Sequence, residues 1–208
     1  SALASGNSQV SVTANDSITV TNYNDFKNAL GTYKHIYVNG NLTIGGNETS
    51  GQTFPEDLPA GTTIEGVIDA NGKSTAYISV RGPIQITGDN VTFKNLKLSF
   101  ISCSSMGAKG HREIFLAGHS LTLDSVDMHE KGAGGSLGGF GSTEDVLLPT
   151  VYGGGFYTNT SIGSHASLTV LHSPKDSQIE NIFMGNEAEA NERTAFTGSA
   201  SLTLDAFT

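Results

Sequence analysis

The chain has 208 residues, of which 37% are hydrophobic and 15% are charged, and its 26 glycines exceed the roughly 7% of average usage. Its formal net charge of −9 disfavours nucleic-acid binding, which needs a basic surface. No apolar run approaches the roughly 20 residues of a membrane helix, and the single cysteine, Cys103, excludes an internal disulfide. We therefore expect no nucleic-acid partner and no membrane insertion, and the composition favours an all-β chain.

Residues 1–22 are small and polar, and they predict a flexible start followed by a leading strand. Residues 23–208 are predicted to form one domain, because the strand patterns below continue to its end. The alternating apolar residues of the start are Val10, Val12, Ile18 and Val20.

A short helix is predicted after this start, with Asn24 or Asp25 as its cap and Gly31 as its stop. Phe26 and Ala29 lie at helical spacing and form its apolar side. A helix in this place would cover the open end of a stack of strands. We therefore expect a capping helix at the N-terminal end.

The segment from His35 to Ile44 predicts two strands separated by a tight turn at Asn39-Gly40. The segment from Ile84 to Leu98 then recurs, position for position, between Ile114 and Met128. Each copy has short runs of alternating apolar residues, broken at Gly88 or Gly118 and again at Asn95 or Ser125. The chain thus uses one strand-rich unit repeatedly.

A tetrad of Asn or Ser, apolar, Thr, apolar recurs at unequal intervals, which indicates insertions between repeats. The clearest insertions are residues 45–60 and 131–149. The tetrads begin at Asn41, Asn90, Ser120, Ser167 and Ser201.

These patterns favour a parallel β-helix, in which short strands wind around a stacked apolar core. A β-sandwich is the competing fold, but it needs regularly spaced hairpin turns, and Asn39-Gly40 is the one good candidate. If the two copies of the repeat stack in register, equivalent residues lie about 4.8 Å apart. The predicted outward pairs are Lys94 with Asp124, Lys97 with Asp127, and Asp89 with protonated His119.

The segments Thr21–Ile44, Thr63–Gly66 and Asn90–Leu96 resemble right-handed parallel β-helix proteins of the pectate-lyase-like superfamily, in the style of adhesive domains of bacterial surface proteins. The resemblance implies a right-handed solenoid with a short N-terminal capping helix and an extracellular or cell-surface location. It also implies either polysaccharide degradation or the binding of glycans or proteins. The sequence departs from the enzymes, since neither their calcium-binding carboxylates nor their catalytic basic residue matches a particular position.

Residues 90–112 contain cations and no acidic residue, and we call them the basic segment. We expect this segment to attract an anionic glycan or an acidic protein. The alternative is that carboxylates on neighbouring strands neutralise it. The candidate binding residues are Lys94, Lys97, Lys109, His111 and Arg112.

Tyr152 and Tyr157 flank Gly153-Gly154-Gly155 and are secondary binding candidates, because sugars stack on exposed aromatic rings. The alternative is that these rings are packed inside the fold.

The expected function is a non-catalytic adhesion or glycan-binding module whose partner is a polysaccharide, a host glycan or an extracellular protein. The first alternative is a lyase or glycoside hydrolase of acidic polysaccharides, with Arg112 as the base and Asp124 and Asp127 as the carboxylates. No cofactor or metal site is expected for the module, whereas the enzyme would bring Ca²⁺. The second alternative is a passive stalk.

The segment Ser201–Thr208 begins a further copy of the tetrad, with no capping pattern after it. An uncovered last strand invites pairing with another chain. We therefore expect either a fragment of a longer surface protein or a partner that covers the last repeat.

Overall fold

The computed structural model describes residues 16–44, 58–80, 83–102, 112–128, 145–155, 162–175, 177–185 and 198–205. These residues form a mostly β fold with one short helix and two sheets of largely parallel strands. The flexible start, with Val10 and Val12, and most of both predicted insertions lie outside the described residues. The elements are β1 (Ser17–Val20), α1 (Tyr23–Ala29), β2 (His35–Val38), β3 (Asn41–Ile44), β4 (Thr63–Gly66), β5 (Tyr77–Val80), β6 (Ile84–Gln85), β7 (Val91–Ser102), β8 (Glu113–Phe115), β9 (Ser120–Asp127), β10 (Asp145–Leu147), β11 (Thr150–Tyr152), β12 (His165–Leu171), β13 (Asn181–Phe183) and β14 (Ser199–Leu204).

Helix α1 begins after Asn22, whose side-chain Oδ1 accepts a hydrogen bond from the Asp25 N–H at 2.9 Å. This is the contact that an N-cap residue makes. The prediction of Asn24 or Asp25 as the cap was wrong, because both residues already lie in the first turn. Phe26 and Ala29 are buried in the core beside the first strands, so the predicted apolar side of the helix is confirmed.

The larger sheet has ten strands, with seven of them in the order β1-β2-β4-β7-β9-β12-β14, and every pair along this path is parallel. A branch adds β3 and β5, which pair in parallel with each other, and β5 also pairs with the second half of β7. β10 is antiparallel to the end of β7. The smaller sheet has the order β13-β11-β8-β6 and is parallel throughout.

The predicted turn at Asn39-Gly40 lies between β2 and β3, and Gly40 has a φ of 92°, a conformation that favours glycine. The turn does not close a hairpin, because β2 pairs with β4 while β3 pairs with β5. It instead redirects the chain from one part of the sheet to another.

The two copies of the repeat stack in the predicted register. β6 pairs with β8, and β7 pairs with β9. His119 Nδ1 also lies 3.0 Å from Asp89 Oδ1. The opposite-charge partners on β7 and β9 are Lys94 with Asp124 and Lys97 with Asp127.

Both long strands bend at one residue, Asn95 in β7 and Ser125 in β9, where φ is 53° and 54°. A single residue in the left-handed region turns the strand without ending its pairing. The half of β7 before the bend pairs with β4, and the half after it pairs with β5. The predicted breaks at these two positions are therefore bends inside continuous strands.

The core consists of apolar residues from alternate strand positions, and one buried cluster extends from Val20 to Val170. Strand β14 lies at the edge of the larger sheet, and its Leu202 and Leu204 are 43% and 52% exposed. One buried column in register contains Ile36, Ile64, Phe93, Leu123 and Val170.

Candidate functional site

Three aromatic side chains stack on the outer face of the smaller sheet, and we call Phe115, Tyr152 and Phe183 the aromatic ladder. Each follows an apolar residue that packs on the core, in the tripeptides Glu113-Ile114-Phe115, Thr150-Val151-Tyr152 and Asn181-Ile182-Phe183. Side chains alternate along a strand, so the residue after the inward one points outward. The parallel register of β8, β11 and β13 then places the three rings side by side.

The rings are nearly parallel. Centroids of Phe115 and Tyr152 lie 5.4 Å apart at 15°, and those of Tyr152 and Phe183 lie 5.5 Å apart at 21°. Phe115 is buried, Tyr152 is partly buried, and Phe183 is 50% exposed. Tyr152 has a ring against each of its faces, which supports the packed alternative for this predicted binding residue. Phe183 is the ring of the ladder that presents its surface to solvent.

Gly153 holds β11 close to the segment that carries Phe183. Its N–H donates to the Phe183 carbonyl oxygen at 2.8 Å, and a Cβ at this position would overlap the carbonyl of Met184. A glycine is therefore required here by close backbone approach. Gly153, directly after Tyr152, thus allows the close backbone approach that positions Phe183.

Polar groups lie on β13 and directly before it, on the strand that carries the exposed ring. Arg112 Nη1 is 2.6 Å from Glu180 Oε2, and each of the two side chains is 37% exposed. Asn181 is exposed and lies two residues before Phe183, so both side chains project from the same face of β13. We call Arg112, Glu180, Asn181 and Phe183 the platform site.

The backbone holds the two charged residues of the platform site in neighbouring positions. The Thr150 N–H donates to the Arg112 carbonyl oxygen at 3.0 Å, and the Glu180 N–H donates to the Pro149 carbonyl oxygen at 2.9 Å. Arg112 and Glu180 therefore flank the chain at Pro149, and their side chains meet across it. Proline offers no competing polar side chain at this point.

The described cations of the basic segment lie on both sheets. Lys94 is in β7, with its Nζ 3.7 Å from Glu65 Oε1, whereas Arg112 precedes β8 and pairs with Glu180. Lys97 is exposed, and its strand partner in β9 is Asp127. Each of these three cations therefore has a carboxylate as its ion-pair or strand partner. This agrees with the alternative that neighbouring carboxylates neutralise the basic segment. The remaining candidates, Lys109, His111 and Tyr157, lie outside the described residues.

Two residues of the enzyme alternative, Arg112 and Asp124, have ion-pair partners of their own. Arg112 belongs to the platform site on the smaller sheet, while Asp124 and Asp127 are in β9 of the larger sheet, on either side of the Ser125 bend. Asp124 Oδ1 is 2.8 Å from His172 Nδ1. Arg112 and Asp124 thus have different ion-pair partners, while Asp124 and Asp127 both belong to β9.

Basic and acidic side chains alternate along the outer surface of the larger sheet, and we call this set the charge column. His35 Nε2 lies 3.1 Å from Glu65 Oε2, and Lys94 also approaches Glu65. The next strand brings Asp124 opposite Lys94. The members of the charge column are His35, Glu65, Lys94, Asp124, His172 and Asp205.

His172 connects the last two carboxylates of the charge column, since its Nε2 lies 3.8 Å from Asp205 Oδ2. The hydrogen bond with Asp124 and the negative charge of that residue raise the pKa of His172. Asp205 raises this pKa further, whereas desolvation and Lys94 oppose the shift. The protonated imidazole is therefore favoured in the folded protein.

A second group of polar side chains lies on the outer face of β5 and β7. Tyr77 Oη donates to Ser99 Oγ at 2.9 Å, and Ser79 and Ser99 are buried on the side opposite the core. Burial raises the pKa of Tyr77, and the hydrogen bond with Ser99 partly offsets this effect. The phenol therefore acts as a neutral hydrogen-bond donor.

Sequence reasoning missed Glu180, Asn181 and Phe183. The signal was present as an inward apolar residue followed by an aromatic one, at Phe115, Tyr152 and again at Phe183. It was overlooked because the three tripeptides lie far apart and share no other residue type.

Comparison of the chain with protein-family models, with curated proteins and with solved structures finds no match. Within the described ranges, no three His, Cys, Asp or Glu residues are grouped so that they could hold a metal ion. In the same part of the chain, no helix has the length and apolar character needed to cross a membrane.

Proposed function

We propose that the chain is a right-handed parallel β-helix that serves as a non-catalytic glycan-binding or adhesion module of a bacterial secreted or cell-surface protein. This proposal includes membership of the pectate-lyase-like group that the sequence resembles. From β6 onward the chain alternates between the two sheets, β10 excepted, and the strands of each sheet pair in parallel with the next repeat. Continuous winding in one direction produces such pairing, which supports the solenoid.

The observation that carries glycan binding is the half-exposed ring of Phe183 on the face of β13 that also carries Asn181. The Arg112–Glu180 pair lies at the residue before this strand. Binding sites for small ligands combine apolar and aromatic surface with a few placed polar groups. The ring provides a flat apolar surface for the C–H face of a sugar. The amide, guanidinium and carboxylate provide donors and acceptors for hydroxyl groups.

The separate partners of Arg112 and Asp124 favour binding over catalysis. Glycosidases need two carboxyl groups that face the scissile bond from opposite sides, about 5–10 Å apart. Asp124 is engaged by His172, whereas Arg112, directly before β8, is engaged by Glu180, directly before β13. This arrangement supports a module that holds a polysaccharide, a host glycan or a glycosylated extracellular protein.

A passive stalk is the second candidate function, and the charge column favours it. Repeated cross-strand pairs such as Lys94 with Glu65 and His172 with Asp124 keep successive strands in register along the outer surface. A regular stack whose strands are linked by such pairs is suited to act as a spacer between other domains. In that case the platform site has no ligand.

A glycan array with the purified chain, run with and without Ca²⁺, tests the proposed function. Every bound glycan is then assayed for unsaturated or reducing-end products. We expect binding without product, independent of Ca²⁺ and lost in Phe183→Ala. Ile68→Ala is the matched control, because Ile68 is a similarly exposed apolar side chain, 46%, outside the platform site. Product formation would establish an enzymatic function. The absence of binding to any glycan would favour the passive stalk.

A further inference from the structure

We infer that the open edge of β14 is a self-association surface, through which two copies of the chain pair antiparallel about a two-fold axis. Among the described strands, β14 pairs with β12 alone, so its second edge has no partner there. An unpaired strand edge is a template for pairing with another chain. The occupant that this edge fits best is the β14 of a second copy.

The apolar side chains of β14 occupy core positions without the cover that such positions have on the preceding strand. Leu202 and Leu204 align in register with Leu168 and Val170 of β12, which are 0% and 5% exposed. Leu202 and Leu204 themselves are 43% and 52% exposed. One more strand on the open edge would therefore bury both leucines, as β14 helps to bury those of β12.

A cavity of about 150 Å³ opens beside Leu204, at the same end of the larger sheet. The apolar part of its lining comes from Met128, Val170, Ile179, Ile182 and Leu204. Apolar surface that is open to water is stabilised by contact with another apolar surface. This end of the sheet thus presents an open strand edge and an uncovered apolar cavity side by side.

The opposite end of the sheet is a poorer partner for β14. Val20 of β1 is buried, and Phe26 and Ala29 of α1 are buried in the same core cluster. The sequence of β1, Ser17–Val20, does resemble Ser201–Leu204, and head-to-tail addition would continue that pattern. Because Val20 is already covered within its own copy, such addition would bury less apolar surface than the pairing of two β14 strands.

The backbone of β14 presents matching donors and acceptors on its open edge. The Ser199 N–H donates towards β12, to the Ser164 carbonyl oxygen at 3.2 Å, and the Asp205 N–H donates to the same strand at 2.9 Å. Backbone groups of successive residues alternate between the two edges of a strand, so those of Leu202 and Leu204 face the open edge. Two antiparallel copies with Leu202 opposite Leu204 can therefore exchange both N–H···O hydrogen bonds at each such pair.

The same register covers the exposed leucines. Each Leu202 lies against Leu204 of the other copy, beside the cavity, and Thr203 lies opposite Thr203 of the second copy on the two-fold axis. A register with Leu204 opposite Ala200 would bury less apolar surface. Antiparallel pairing about Thr203 is thus the register that buries both leucines of both copies.

Charged and polar groups are compatible with this register. Asp205 comes opposite Ser201 of the second copy, whose Oγ lies 2.9 Å from His165 Nε2. At this position the carboxylate meets a hydroxyl and an imidazole, which is a favourable combination on neighbouring strands. A two-fold contact uses the same surface on both copies, so the association closes at the dimer.

The mass of the intact chain in solution tests the association. We expect size-exclusion chromatography with light scattering to give the mass of two chains at micromolar concentrations. Leu204→Lys should weaken the dimer by at least about tenfold, because it places a charge at the centre of the contact. Ile68→Lys is the matched control and should leave the dimer unchanged, since Ile68 is a similarly exposed apolar side chain, 46%, outside β14.

Disulfide cross-linking tests the register. All variants carry Cys103→Ser, so the introduced thiol is the only one in the chain. Two copies of the Thr203→Cys variant place their thiols opposite each other, with Cα atoms about 4.5 Å apart, a separation that a disulfide spans. Mild oxidation should therefore cross-link this variant into a dimer. Thr169→Cys should not cross-link, because Thr169 aligns with Thr203 but lies one strand further from the contact.

Three results would overturn the inference. The first is a folded chain that is monomeric at every concentration, with folding checked by far-UV circular dichroism. The second is a dimer that persists in Leu204→Lys and does not cross-link through Thr203→Cys, which would place the contact elsewhere. The third is a cross-link that forms only when Thr203→Cys and Thr19→Cys chains are mixed, which would show head-to-tail addition of β1 to β14.

Discussion

Tyr152 illustrates how a single side chain couples neighbouring repeats. Its ring contacts Phe115 on one face and Phe183 on the other, so one residue links β8, β11 and β13. Stacked aromatic pairs contribute roughly 0.5–1.5 kcal/mol each beyond the area that they bury. The aromatic ladder therefore stabilises the smaller sheet from its outer face.

Replacing Tyr152 by alanine should lower the free energy of unfolding by about 2–3 kcal/mol, because two stacked pairs and part of the buried ring surface are lost. Tyr152→Phe keeps both stacked pairs and should cost about 1 kcal/mol or less. Urea unfolding followed by circular dichroism measures both. Equal effects of the two variants would contradict a stabilising role of the ring stack.

The platform site shows what sequence reasoning can predict at the residue scale. Arg112 and Tyr152 were both expected in a ligand site, and the structure puts them on the same sheet. The exposed ring, however, is that of Phe183, because exposure depends on which strand ends the sheet. The position of β13 at the edge of the smaller sheet results from its long-range pairing with β11. A local sequence pattern gives no information about this pairing.

At the scale of elements, the bond from His172 to Asp124 fastens the end of β12 to β9. His172 also approaches Asp205, which directly follows β14. Its φ of 48° is one that few residues other than glycine adopt, although histidine is among those that tolerate it. One imidazole therefore bridges three consecutive strands of the larger sheet, at the edge where β14 is exposed.

The stability contributed by His172 should depend on pH in a defined direction. Since the folded-state pKa is raised above its ordinary value of 6.5, the contribution is fully present below that value. It is lost as the pH rises through the higher folded-state pKa. Urea unfolding on both sides of neutrality should therefore show wild-type stability falling more with rising pH than that of His172→Asn.

Asparagine is the matched replacement at His172, because it also tolerates a left-handed backbone but does not titrate. The difference between the two profiles isolates His172 from the other histidines. Parallel profiles for wild type and variant would show that protonation of His172 beside Asp124 and Asp205 does not stabilise the folded state.

For the whole molecule, the repeat in the sequence predicted more of the architecture than any local motif. The correspondence of two segments predicted both the parallel pairing of β7 with β9 and its register, including Lys97 opposite Asp127. Alternation of apolar residues determines which face of each strand is buried, and a slip by one residue would expose the whole face. Strand register can therefore be predicted from the sequence where the apolar pattern repeats.

Other parts of the fold could not be predicted from the sequence in this way. The predicted insertion 131–149 contains β10, which pairs antiparallel with β7 through Asp145–Leu147. That pairing depends on a strand edge supplied by another part of the chain, and nothing in the insertion itself indicates it. The tetrads of Ser120, Ser167 and Ser201 share one register, whereas Asn41 lies in β3, on the branch that pairs with β5.

The central claim, that the module holds a glycan at the platform site, is tested most directly by a ¹H–¹⁵N NMR titration of the isotopically labelled chain with a glycan that binds on the array. We predict that the largest shifts occur at Asn181, Phe183 and the Arg112 side chain, and that Phe183→Ala abolishes them. Shifts centred on Lys94 and Lys97 of the larger sheet would contradict this account and return the binding site to the basic segment.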